Sequence, residues 1–192
     1  MSEGTTRDRM IEAAIKLVNE KGYKGATTKM IAERAGVNEV TLFRHFGSKK
    51  GLVEAAIDKY SFVDHVSETL ETKVMWDINK DLPMLVKEYQ ELLEQKREII
   101  LISLKEAGAF PELDRMIARV PETYKKKLMD YFDQMMQQGK IRRTDAEILA
   151  TNFIFLNFGY FLLKSRLHSV AEDMSVDDFI HQNIASFIHS II

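Results

Sequence analysis

Glu39, Val40, Arg44 and, in part, Phe43 share the outward face of a short helix expected to start at Asn38 and run to His45. That helix is the second of a pair. Residues 27–50 read TTKMIAERAGVNEVTLFRHFGSKK, which spells a helix, a tight Ala35-Gly36-Val37 turn and a second helix. Ala32 lets the two approach closely, and Gly36 supplies the positive φ that the turn needs. Val37 and Leu42 pin the second helix to a core. Such a helix fits the major groove of B-DNA, where base edges present distinguishable donors and acceptors. The same spacing also suits an ordinary helical hairpin with a solvated, charged face. Lys49 and Lys50 open the next helix, where cations oppose the helix dipole. That placement makes sense if the helix N-terminus and the lysines share a phosphate. A solvated lysine pair is the other reading.

No comparable set of residues supports catalysis. There is no Ser-His-Asp constellation, Gly-rich phosphate loop or HExxH pattern. The five histidines, His45, His65, His168, His181 and His189, show no ligand spacing with carboxylates. The 192 residues include no cysteine, which excludes a disulfide framework, a Cys-ligated metal and a thiol switch. The expectation is a non-enzyme with no metal and no cofactor.

The elements that position these residues are helices. Three prolines and nine glycines leave long stretches free of helix breakers. Thr5 caps a first helix with Asp8 as its partner. Its apolar face is Ile11, Ala14, Ile15 and Val18, and Gly22 ends it. Thr27-Thr28 starts the second helix, Asn38 caps the third, Gly47 closes it and Ser48 opens the fourth. Lys49 to about Leu70 reads as one helix. Pro83 suits the first turn of another, to about Glu94. Arg97 to Ala107 follows, then a short piece after Pro111, then a long helix from Pro121 to Gly139. Thr144 with Glu147 forms a capping-box pattern before a helix to about His168. Ser175 caps the last. No segment alternates with period two. The fold class is all-α, with about nine or ten helices. The most apolar run, Phe153 to Leu163, is broken by Asn157 and falls short of the roughly 20 residues a spanning helix needs. The N-terminus lacks the apolar core of a signal peptide. A cytoplasmic protein without a membrane partner is expected.

Residues 7–57, RDRMIEAAIKLVNEKGYKGATTKMIAERAGVNEVTLFRHFGSKKGLVEAAI, resemble the N-terminal domain of the TetR family of bacterial transcriptional regulators. The resemblance lies in EKGY at the end of helix one, TT at the start of helix two and IAERAGV. The TL-aromatic-x-H-F centre of helix three and the SK before helix four complete it. It implies that Lys29, Glu39, Val40 and Arg44 approach base edges. It implies that Thr28, Thr41, Phe43, His45, Lys49 and Lys50 lie at or near phosphates and sugars. Position 43 is usually tyrosine in the family. Phe43 has no hydroxyl to offer a phosphate and is expected to pack on a sugar or a thymine methyl. Glu39 is unfavourable among phosphates unless it accepts a bond, as from cytosine N4, or acts by rejecting wrong sequences.

The resemblance further implies a helix-turn-helix domain over 1–50 and a helical effector-binding and dimerisation domain over 51–192. The helix after Asp145 is apolar nearly all round, so both of its sides need cover. Paired with the last helix and their copies, it would form a four-helix homodimer interface. Phe158, Leu162, Phe179, Ile184, Phe187, Ile188 and Ile191 are its candidates. Trp76, Tyr89, Ile102, Phe110, Met135, Asn152, Phe155 and Asn157 are candidates for lining a pocket for a small apolar or aromatic effector. The expected function is a ligand-responsive repressor that binds a palindromic double-stranded DNA operator as a dimer. The alternative is a DNA-binding protein of the same fold without an effector, acting structurally or through a protein partner. The formal charge of −2 hides a division. Residues 1–50 hold ten Lys+Arg and six Asp+Glu, whereas residues 51–192 hold 17 and 23.

Overall fold

A computed structural model describes residues 5–60, 63–108, 111–167 and 173–192. Among the described residues every regular element is helical. The elements are α1 (Thr6–Gly25), α2 (Thr28–Ala35), α3 (Glu39–Phe46), α4 (Lys49–Tyr60), α5 (Val63–Thr72) and α6 (Ile78–Gln95). Then come α7 (Arg97–Glu106), α8 (Pro111–Gln137), α9 (Ala146–Arg166), α10 (Val176–Phe179) and α11 (Ala185–Ile191). A π-helical stretch, Ile180–Ile184, joins the last two. The chain forms two compact units, residues 1–61 with 98–118, and residues 62–97 with 119–192.

The first unit is built on one apolar cluster. Met10, Ile11, Ala14, Leu17 and Val18 from α1 meet Ile31, Ala32 and Ala35 from α2, Leu42 from α3, and Leu52 and Ala56 from α4. Ile99 and Ile102 from α7 join the same cluster. This unit therefore runs past residue 50, because Leu52 and Ala56 are as buried as the residues of α1. Caps set its helix starts. Thr5 and Asp8 form a reciprocal capping box. The Thr27 hydroxyl accepts from the Met30 N–H, and Asn38 accepts from the Val40 N–H. Gly22, at φ 72° and ψ 166°, kinks α1 rather than ending it.

The second unit packs α6 against α5, α9 and the C-terminal helices. Its interior includes Leu82, Leu85, Val86, Leu93, Leu128, Phe132, Met135 and Phe153, each at most 2% exposed. Several expected boundaries move. Helix α6 starts at Ile78, capped by Asp77, so Pro83 lies a turn further in than expected. Helix α8 runs unbroken through Pro121, because missing one N–H does not outweigh the burial of Tyr124, Leu128, Tyr131 and Phe132 that follows. Asp145, not Thr144, caps α9 by accepting from the N–H groups of Glu147 and Ile148. Helix α9 has 21 residues and is long and apolar enough, by length and composition, to cross a membrane, beyond the run read from the sequence. About half of that surface is buried within the fold. Trp76 holds a left-handed φ of 59°. Buried Asp81 fixes that turn by accepting from the N–H groups of Met75 and Asp77 and from the Tyr131 hydroxyl.

Candidate nucleic-acid interface

The turn between α2 and α3 follows from two residues. Gly36 is left-handed, at φ 67° and ψ 38°, and its N–H reaches back to the carbonyls of α2. Leu42 is fully buried, so α3 is locked by one face onto the cluster. The opposite face then points to solvent. Val40 is 73% exposed and Phe43 45%. Both side chains are therefore free of the core and accessible on the outward face of α3. Arg44, His45 and Lys29 are exposed with them, and Thr41 is half-buried.

Two candidates are tied to partners. The Thr28 hydroxyl donates to the Glu39 carboxylate at 2.5 Å. This bond joins the N-terminal turns of α2 and α3 and fixes the Glu39 carboxylate in one place. Lys49 turns inward rather than outward. Its ammonium donates to the Tyr23 carbonyl and lies 4.3 Å from the centre of the Tyr23 ring. Burial pushes the Lys49 ammonium below its ordinary range, partly offset by Glu106. Lys50 stays half-exposed, 4.0 Å from Glu54.

Other residues support this surface without having been read from the sequence. A Cβ at Gly51 would run into the carbonyl oxygen of Phe46, so α4 can begin this close to the end of α3 only with glycine there. The Arg7 guanidinium lies 5.4 Å from the centre of the Phe46 ring. Glu106 on α7 accepts from the Tyr23 N–H at 2.9 Å, just past the Gly22 kink. The KKG triplet was the only visible signal for Gly51. The Glu106 contact spans 83 residues and left none.

The expected pocket residues do not gather in one place. Ile102 belongs to the core of the first unit. Phe110 lies outside the described residues. Met135 is wholly enclosed by side chains of the second unit. Asn152 and Phe155 face outward on α9, Phe155 at 69% exposure. Trp76 is half-buried and stacks on Tyr131 at 5.7 Å. Asn157 is fully buried and answers an interhelical need. Its amide donates to the Phe153 carbonyl, while Gln90 on α6 donates to the Asn157 carbonyl at 2.9 Å. Tyr89 packs on Tyr124, with ring centres 4.7 Å apart. An open groove of about 400 Å³ runs past Lys87, Gln90, Tyr160, Phe161 and Lys164.

The expected dimer residues divide by helix. Phe179, Ile184, Ile188 and Ile191 are buried in their own unit. Phe187 is half-buried against Phe132 and Phe153. The apolar stripe of the C-terminal helices is thus used within the chain. On α9, exposed Ile148 and Phe155 and half-buried Phe158 and Leu162 form a continuous outer face.

A fold with this turn, this exposed helix and a separate helical unit is that of a DNA-binding transcriptional regulator. The family model for bacterial regulatory proteins of the tetR family matches residues 10–56. The AefR-like transcriptional repressor C-terminal domain matches residues 80–189. The chain is 33% identical over 186 residues to YvkB of Bacillus subtilis, an uncharacterized HTH-type transcriptional regulator, covering 97% of each. A Clostridium perfringens protein assigned as a fatty acid metabolism regulator has a similar structure. Its TM-score is 0.75 and its identity 22%, over 96% of this chain and 98% of that one. FadR from Bacillus subtilis, solved in complex with stearoyl-CoA, gives a TM-score of 0.67 at 19% identity, covering 95% of each chain. The protein belongs to the TetR family of bacterial transcriptional regulators and is not an enzyme.

Proposed function

We propose that the protein is a homodimeric repressor that reads a palindromic operator with α3 and leaves it when an effector of the acyl-CoA class places its apolar acyl chain in the second unit. The exposed α3 face carries the first half of this reading. Arg44 suits the O6 and N7 acceptors of guanine, Glu39 suits the N4 donor of cytosine, and Val40 suits a thymine methyl. Lys29 completes the base-reading set. Thr41, Phe43, His45 and Lys50 serve at the sugar-phosphate backbone, Thr28 serves by holding the Glu39 carboxylate, and Lys49 serves by fixing the start of α4 on Tyr23. The match to a repressor-type C-terminal domain supports repression. The outer face of α9, centred on Phe155, supports a two-fold dimer. Such a dimer would set two α3 helices about 34–36 Å apart, one turn of DNA.

The effector class is supported by the likeness to FadR, which was solved with stearoyl-CoA, and by the apolar interior of the second unit. The side-chain filling around Phe132, Met135 and Phe153 favours a second reading, a regulator of this fold without an effector. Selection of bound duplexes from a random library tests both. A palindrome with half-sites one helical turn apart is expected, and its affinity should fall when stearoyl-CoA is added. A single unpaired half-site would overturn the dimeric reading. A palindrome whose binding ignores stearoyl-CoA would favour the second.

A further inference from the structure

Tyr124 is 2% exposed, and its hydroxyl has no hydrogen-bond partner among the described residues. Buried hydroxyls are nearly always paired, because an unpaired one loses its bond to water without replacing it. Here the hydroxyl belongs to a residue that lines a small cavity of about 10 Å³ inside the second unit. Val66 and Thr69 from α5 and Leu85, Tyr89 and Leu92 from α6 form its other walls. His65 and Glu88 also line it. They are partly exposed and meet at 3.4 Å, with Lys73 bound to Glu88 at 2.8 Å. The site is thus apolar within, has one free hydroxyl and is bounded by ion-paired groups.

We infer that Tyr124 is the hydrogen-bonding anchor of the effector site, its hydroxyl donating to the neutral carbonyl oxygen of an acyl chain that enters between α5 and α6. This rests on the effector reading above. Burial keeps the Tyr124 phenol protonated, its pKa pushed well above the ordinary value, so it acts as a donor. Among the described residues no lysine or arginine lines the cavity. A carboxylate there would be buried without a counter-ion, so a thioester carbonyl fits and a free acid does not. The cavity is too small for a chain, so entry requires α5 to move from α6, and only the fraction of molecules in that state binds.

The test is calorimetric titration of the full chain and of Tyr124→Phe with three probes. These are stearoyl-CoA, its S-octadecyl thioether analogue without the carbonyl, and stearate. The wild type should prefer the thioester to the thioether by about tenfold, and Tyr124→Phe should lose that preference. The variant should also melt at a higher temperature without any probe, having shed an unpaired buried hydroxyl. A preference retained by Tyr124→Phe, or a lower melting temperature, would overturn the assignment. Equal binding of thioester and thioether by the wild type would overturn it while leaving the effector reading intact. Binding of neither would remove both. Tighter binding of stearate would overturn the neutral-carbonyl class.

Discussion

Arg44 and Gly51 show how closely single side chains control this surface. Arg44 stands exposed on α3, and Arg44→Ala should cost roughly 1–3 kcal/mol on the selected operator and relax base preference at one position per half-site. Competition titrations with operator variants and random DNA measure this. Equal losses on both would move Arg44 to the backbone set. Gly51 has no such freedom. Gly51→Ala drives a methyl group into the Phe46 carbonyl, so α4 must separate from α3. The variant should lose operator affinity and stability together, by thermal melting and by anisotropy. Wild-type values for both would mean that the α3–α4 junction yields without cost. Glu39 behaves differently again, since Thr28 holds its carboxylate in place. Its type was legible in the sequence, but the partner that orients it was not, because the two are joined by a fold and not by a spacing.

At the scale of elements, α9 and the C-terminal helices show what an apolar pattern leaves open. Both read as stripes that need cover. The stripe on the last helix faces its own chain, where Phe187 meets Phe132 at 6.3 Å and Phe153 at 6.0 Å. Among the described residues, α9 keeps Ile148 and Phe155 exposed on its outer face. Phe155→Asp should therefore yield monomers in sedimentation equilibrium while far-UV helicity is kept. Phe187→Asp should instead destabilise the second unit by roughly 3 kcal/mol in denaturant unfolding, because it removes the ring packed on Phe132 and Phe153 and sets a carboxylate against them. A dimer that survives Phe155→Asp would place the interface elsewhere. Periodicity identifies the apolar face of a helix, but not whether the face that covers it lies on the same chain or another.

For the whole molecule, the division of charge matters more than its sum. The basic excess lies in residues 1–50 and the acidic excess in the rest. Binding to DNA should weaken linearly on a log–log plot against salt. Lys50→Ala should lower the slope by about one unit per head, whereas Lys49→Ala should act first on stability, since Lys49 is committed to Tyr23. Slopes from titrations at several salt concentrations, set beside melting temperatures, separate the two lysines. A slope unchanged by Lys50→Ala would remove it from the phosphate set. The acidic remainder disfavours DNA at any other surface.

The all-helical class, the Gly36 turn, the capping residues Thr5, Thr27, Asn38 and Ser175, and the outward face of α3 were written in local sequence. Each depends on residues within one or two turns of each other, so spacing alone determines them. The inward turn of Lys49, the Thr28–Glu39 bond and the Glu106 contact to Tyr23 were decided only by tertiary structure. So were the Gln90–Asn157 pair and the unpaired hydroxyl of Tyr124. All of these join groups from different helices, and a buried polar atom's partner is chosen by how those helices pack, which no single segment encodes.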